Sequence, residues 1–74
     1  MVRLKAERLQ RGWTLQDLGY KARIQASDIS KIERQVLRPY PAQLARLAKV
    51  LKCPAEDLLL EVSNGTSQET ARVG

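Results

Sequence analysis

The chain has 74 residues, 43% of them apolar, and a formal net charge of +5, a length that makes one domain with a modest core. A single cysteine, Cys53, and the absence of histidine exclude an internal disulfide, a zinc site of the usual Cys/His kind and catalysis by a histidine base. No apolar run is long enough to cross a bilayer and the first residues lack a secretory apolar region, so with one free thiol the expected setting is the cytoplasm.

Glycine and proline divide the sequence into helical segments. The spacing predicts a first helix over 2–11, with Leu4 and Leu9 as its sparse apolar side chains. Gly12 then suits the position past a helix end, because it tolerates positive φ. Thr14 can cap a second helix, and Asp17 three residues on favours its positive end. Trp13 and Leu18 have the spacing of a hydrophobic staple. This second helix is predicted to run to about Ala22, with a tight turn at Arg23-Ile24 and a third helix over roughly 25–34. Pro41 fits the first turn of a fourth helix, where its missing N–H costs nothing. Leu44, Leu47, Ala48 and Leu51 continue that helix as an i, i+3, i+4, i+7 stripe. Pro54 opens a short fifth helix, with Glu56 and Asp57 in its first turn and Leu58, Leu59 and Val62 apolar. From Ser63 the composition turns polar, and residues 63–74 are expected to be a disordered tail behind a folded domain of residues 1–62.

Charge is unevenly distributed. Residues 1–52 hold twelve of the thirteen Lys/Arg and four of the eight acids, a net of +8. Residues 53–74 hold Arg72 against Glu56, Asp57, Glu61 and Glu69, a net of −3. A basic body suits a polyanionic partner, since each phosphate neutralised releases counterions; mere solubility would also account for the excess.

The informative stretch runs from Leu15 to Arg34. Two short helices meeting steeply need inward apolar residues from both, here Leu18, Ala22, Ile24, Ile29 and Ile32, and a small residue where backbones approach, here Gly19. Glycine inside a helix costs about 1 kcal/mol relative to alanine, so its presence implies close approach by the third helix. With Ile29 and Ile32 inward, Ser27, Ser30, Lys31 and Arg34 fall on the opposite face, with no acid among them. Such a face can enter a major groove, where serine meets donors or acceptors and Lys or Arg favours guanine edges. An ordinary solvated face would mix both signs.

The joint spacing of Arg8, Gly12-Trp13-Thr14, Leu18-Gly19, Ala22, Ile24, Ile29-Ser30, Ile32-Glu33, Leu44, Leu47-Ala48 and Leu51 resembles the Cro and phage-repressor, or xenobiotic-response-element, family of helix-turn-helix proteins, over about residues 3–60. The resemblance implies an all-α, compact five-helix bundle of the lambda-repressor-like type with the third helix as recognition helix. It implies base contacts from Ala26, Ser27, Ser30 and Lys31, with Arg34 nearby. Backbone-phosphate contacts would come from Thr14, Leu15 and Gln16 and, after the third helix, from Arg34 and Arg38. Free N–H groups at the start of the second helix would add an anion site. Arg8 and Glu33 correspond to a structural ion pair. The sequence departs from the family at Arg23 and Gln35, where glycine is frequent, at Leu15, often glutamine, and at Val36 and Leu37, in a usually polar loop.

These readings imply sequence-specific binding of double-stranded DNA in transcriptional regulation. A homodimer on a two-fold symmetric site is implied, because one recognition helix reads few base pairs. The dimer surface is either the fifth helix, through Leu58, Leu59 and Val62, or the Val36-Leu37 loop, unless both sets belong to the core. The alternative is a protein-interaction module of antitoxin or anti-repressor type, using Val36, Leu37 and Leu15. No cofactor, metal or small-molecule ligand is implied. An enzyme is not expected, since Ser27 and Ser30 have no partner that could activate them.

Overall fold

A computed structural model describes residues 1–62. They form α1 (Arg3–Gln10), α2 (Leu15–Ala22), α3 (Ala26–Glu33) and α4 (Pro41–Leu51), followed by a 3-10 turn at Ala55–Asp57. The predicted tail, 63–74, lies outside the described residues.

The elements start where their chemistry dictates. At α2, Thr14 Oγ1 accepts from the Asp17 backbone N–H at 3.0 Å while the Thr14 N–H donates to Asp17 Oδ2 at 2.9 Å. This reciprocal box satisfies two backbone donors. At α4, Pro41 opens the first turn and the Tyr40 N–H donates to Gln43 Oε1 at 2.9 Å. Gly12 has φ +72° past the end of α1. Arg23, Gln35 and Lys52 also take left-handed backbone, at φ +59°, +62° and +56°. The two positions where glycine was missing from the sequence pattern therefore keep the conformation that glycine would ease, each at about 1 kcal/mol.

The fifth helix is a correction. Beyond the single 3-10 turn the chain turns again through residues 58–60, and Glu61 pairs with Val2 in an isolated antiparallel bridge. The reason lies at the start of α1, where Val2 supplies no side-chain cap. The orphan N–H groups of Arg3 and Leu4 donate instead to the carbonyls of Leu60, at 2.8 Å, and Leu58, at 2.9 Å. An α-helix over 54–62 would turn the Leu58 carbonyl onto the Val62 N–H, which donates instead to the Met1 carbonyl at 2.9 Å.

The core is built from Val2, Leu4, Leu18, Ala22, Ile24, Ile29, Ile32, Leu47, Leu51 and Leu58, with Trp13, Leu15, Leu44, Ala48 and Leu59 packed against it. Leu9, the other apolar side chain predicted for α1 beside Leu4, is 46% exposed. Five residues at about 100° each set the two side chains roughly 140° apart, too far to share one face. The polar member that α1 buries is Arg8.

Candidate nucleic-acid interface

The helix-turn-helix is held by contacts on both sides of the turn. A Cβ on Gly19 would lie 2.5 Å from the Ile24 carbonyl oxygen, 3.4 Å from the Ala26 nitrogen and 3.5 Å from Ile29 Cδ1. The small residue thus admits the turn backbone first and the start of α3 second. The Ile24 N–H closes the turn on the Gly19 carbonyl at 2.9 Å.

The direction of α3 follows from what it buries, namely Ile29, Ile32 and Glu33. At 100° per residue these three define an inner direction, and Ser27, Lys31 and Arg34 lie within about 40° of its opposite. All three are exposed. Ser30 is half-buried on one flank, as is Ala26 at the first turn. Ser30 therefore stands at the edge of the outer face instead of its middle. Asp28 occupies the other flank, half-buried, so the outward face carries two cations and no acid. Arg34 Nε lies 3.4 Å from the Ser30 carbonyl, a long contact that leaves the guanidinium exposed.

Glu33 sits on the inner side of the same helix. It accepts from Arg8 Nε at 2.7 Å and Arg8 Nη2 at 3.0 Å, and Arg8 Nη1 donates to the Trp13 carbonyl at 2.9 Å. Arg8 thereby ties α1, the approach to α2 and the end of α3 into one unit.

Among the residues implied to face a phosphate backbone, Thr14, Gln16 and Arg38 are exposed. Leu15 is half-buried and packs on the core. Its side chain is therefore committed to folding, and what it can offer a phosphate is its backbone N–H. The Asp17 carboxyl is held below its usual range, first by the Thr14 backbone N–H and then by the Thr14 hydroxyl. The loop after α3 is tied down, with the Val36 and Leu37 N–H groups donating to the Lys31 carbonyl at 2.8 and 3.2 Å. Val36 is 71% exposed and Leu37 is 37% exposed.

Three arrangements escaped the sequence reading, the first two because they join distant segments. Arg46 Nε donates to the Ala22 carbonyl at 2.9 Å, filling a free acceptor at the end of α2. Arg11 Nη2 reaches the Leu51 carbonyl at 2.8 Å. The Lys21 ammonium and the Arg11 guanidinium stand over the Trp13 ring at 4.9 and 5.6 Å.

A short helix crossing its neighbour through a tight turn, with an exposed basic face, defines the helix-turn-helix class of DNA-binding domain. The model of the family described as a helix-turn-helix domain matches residues 2–61, nearly all of the described chain, and the protein belongs to that family, within the Cro/C1-type group. No curated protein and no solved structure matches the chain. No described helix is long and apolar enough to cross a membrane.

Proposed function

We propose that this domain binds double-stranded DNA sequence-specifically, as a transcriptional regulator, with α3 in the major groove. The observation that carries the reading is the exposed outer face of Ser27, Lys31 and Arg34, free of carboxylates and opposite the buried isoleucines. Lys31 and Arg34 suit guanine edges, and Ser27 suits either donors or acceptors. Ala26 and Ser30 flank them at a depth that allows contact with a base methyl or edge once the helix is seated. Thr14, Gln16 and Arg38, with the backbone N–H groups of Leu15 and Gln16, position the domain on phosphates. The role is one of binding without catalysis, in the cytoplasm.

A homodimer on a two-fold symmetric site supplies the affinity that one short helix lacks. Its surface includes Val36 and Leu37, which are exposed, whereas Leu58 is fully buried and unavailable. The same exposed loop favours a second reading, an interaction module docking another protein through Val36, Leu37 and Tyr40; Tyr40 is 73% exposed.

Selection of bound duplexes from a random pool, followed by titration at several salt concentrations, tests both. A groove reader enriches a paired half-site motif and loses affinity steeply with salt, because phosphate contacts release counterions. A pool that returns no motif, together with weak salt dependence, rejects the groove reading in favour of the apolar interface.

A further inference from the structure

Among the described residues, some cations are bonded to carboxylate and others are not. Arg3 and Arg8 of α1, and Arg11 just past its end, are each bonded to carboxylate: Arg3 to Glu7 and Asp57, Arg8 to Glu33, Arg11 to Glu7. Lys21, Arg23, Arg46, Lys49 and Lys52 have no carboxylate partner among the described residues. None of these five belongs to the outer face of α3, so the proposed groove reading leaves them unused.

Four of them, Lys21, Arg46, Lys49 and Lys52, stand on or at the end of α2 and α4. Arg46 reaches the last residue of α2, while the Leu51 carbonyl is met by Arg11 just before α2 begins. The fourth helix therefore runs antiparallel beside the second. Around α2, Gly19 faces the turn and α3, and Lys21 lies about 160° further round, on the other flank. There it stands over Trp13 with Arg11. Arg46 and Lys49 of α4, and Lys52 just past its end in left-handed backbone, are all exposed, and the helix holds no acid. Three residues advance about 4.5 Å and turn back about 60°, so Arg46 and Lys49 are neighbours on one face of the helix. Asp17, the acid of α2, is committed to the Thr14 capping box.

From this placement we infer that the α2–α4 side is a second nucleic-acid surface, which holds the phosphate backbone of a duplex segment other than the one read by α3. Unpaired like charges on neighbouring helices repel one another and disfavour the compact state, a cost that a polyanion removes. Phosphate binding through counterion release needs accessible cations and little else. An interface with a protein is built on a cluster of apolar or aromatic anchors; on this side the indole of Trp13 is capped by Lys21 and Arg11, which leaves Tyr20 as the exposed large apolar residue of α2 and none on α4. Two such surfaces on one small domain would let it bridge two DNA segments.

The test uses fluorescence anisotropy with a labelled duplex of random sequence and four proteins: wild type, Lys31→Ala/Arg34→Ala, Lys49→Glu/Lys52→Glu, and the combination. Circular dichroism establishes that each is folded. The α3 variant is expected to keep salt-steep binding to the random duplex. Adding the α4 reversals is expected to lower the slope of log K against log salt by about 2 and the affinity at least tenfold, the consequence of losing roughly two phosphate contacts. Loss of all duplex binding in the α3 variant overturns this inference and leaves the groove reading standing. Full binding in the α3 variant, with the cognate motif still preferred, overturns the groove reading and leaves this one standing. Binding that the α4 reversals do not change overturns the inference. A bead-bound duplex that captures a second labelled duplex through wild type, and not through Lys49→Glu/Lys52→Glu, supports bridging; equal capture by both counts against it.

Discussion

The guanidinium of Arg8 and the carboxylate of Glu33 meet through two hydrogen bonds, 2.7 and 3.0 Å long, and each residue is more than nine-tenths buried, at 7% and 8% exposed. Because the pair spans α1 and α3, it fixes the recognition helix from the side opposite its proposed contacts. Glu33→Ala leaves a buried guanidinium with the Trp13 carbonyl as its remaining partner and is expected to cost about 3–5 kcal/mol. Replacing both partners with apolar residues, as in Arg8→Met/Glu33→Leu, removes the stranded charge and is expected to cost less than either single change. Thermal melts of the three variants read this directly. A single variant as stable as wild type rejects the structural role.

Lys31→Ala is the complementary case. Its side chain is exposed on the outer face of α3, so the melting temperature is expected to stay within the range of an ordinary surface substitution, about 0.5 kcal/mol. Affinity for the selected operator is expected to fall by about 1–3 kcal/mol, a weakening of roughly 5- to 150-fold. Titration of the operator alongside a melt separates the two quantities. Equal loss of folding and binding would place Lys31 in the core instead.

Gly19→Ala sets two effects against each other. Helix propensity alone favours alanine by about 1 kcal/mol. The new Cβ would meet the Ile24 carbonyl oxygen at 2.5 Å, and that atom is backbone in a tight turn, held by its neighbours. Overpacking of this kind costs about 1–3 kcal/mol, so the net outcome is destabilisation, with the turn displaced. A raised melting temperature would mean that the turn yields easily.

Gln35→Gly is expected to stabilise by about 0.5–1 kcal/mol. Gln35 has φ +62°, where glycine has no Cβ to clash. The bond it gives up, Gln35 Nε2 to Glu61 at 2.7 Å, is exposed and weighs little. Gln35→Ala keeps the strain and is expected to show no gain. Urea unfolding of the two variants distinguishes relief of backbone strain from a general tolerance of small residues.

Acid sensitivity follows from Glu7. Its carboxyl accepts from Arg11 at 2.8 Å and from Arg3 at 3.0 Å, and these bonds, Arg11 first, hold it below its ordinary value of 4.5. The unfolded chain therefore takes up the proton at a higher pH than the folded one. Glu7 adds stability above about pH 4.5, and that stability is lost as pH falls through its lowered folded value. Asp17 is shifted the same way by Thr14. Melts between neutral pH and pH 3 are expected to fall less steeply for Glu7→Gln than for wild type.

The sequence by itself determined the four helices, their order and the inward set of the helix-turn-helix. Capping at Thr14, proline at 41 and the recurrence of Leu18, Ala22, Ile29 and Ile32 at helical spacing are local signals, and local hydrogen bonds and periodic burial obey them. The outer face of α3 was legible for the same reason, since fixing two buried isoleucines fixes the phase of the whole helix. Tertiary structure decided the rest. Residues 58–62 have helix-compatible spacing, yet the uncapped α1 donors of Arg3 and Leu4 took the carbonyls of Leu60 and Leu58 and drew the chain out of a helix. Leu9 was left outside and Arg8 was buried because a partner for Arg8 waits on α3, 25 residues away. The placing of Lys21, Arg46, Lys49 and Lys52 on neighbouring helices likewise depends on α4 lying antiparallel to α2. Periodicity reports which face of a helix is apolar; it carries no information about which distant atoms will complete its unsatisfied groups, and here those atoms set both ends of the bundle.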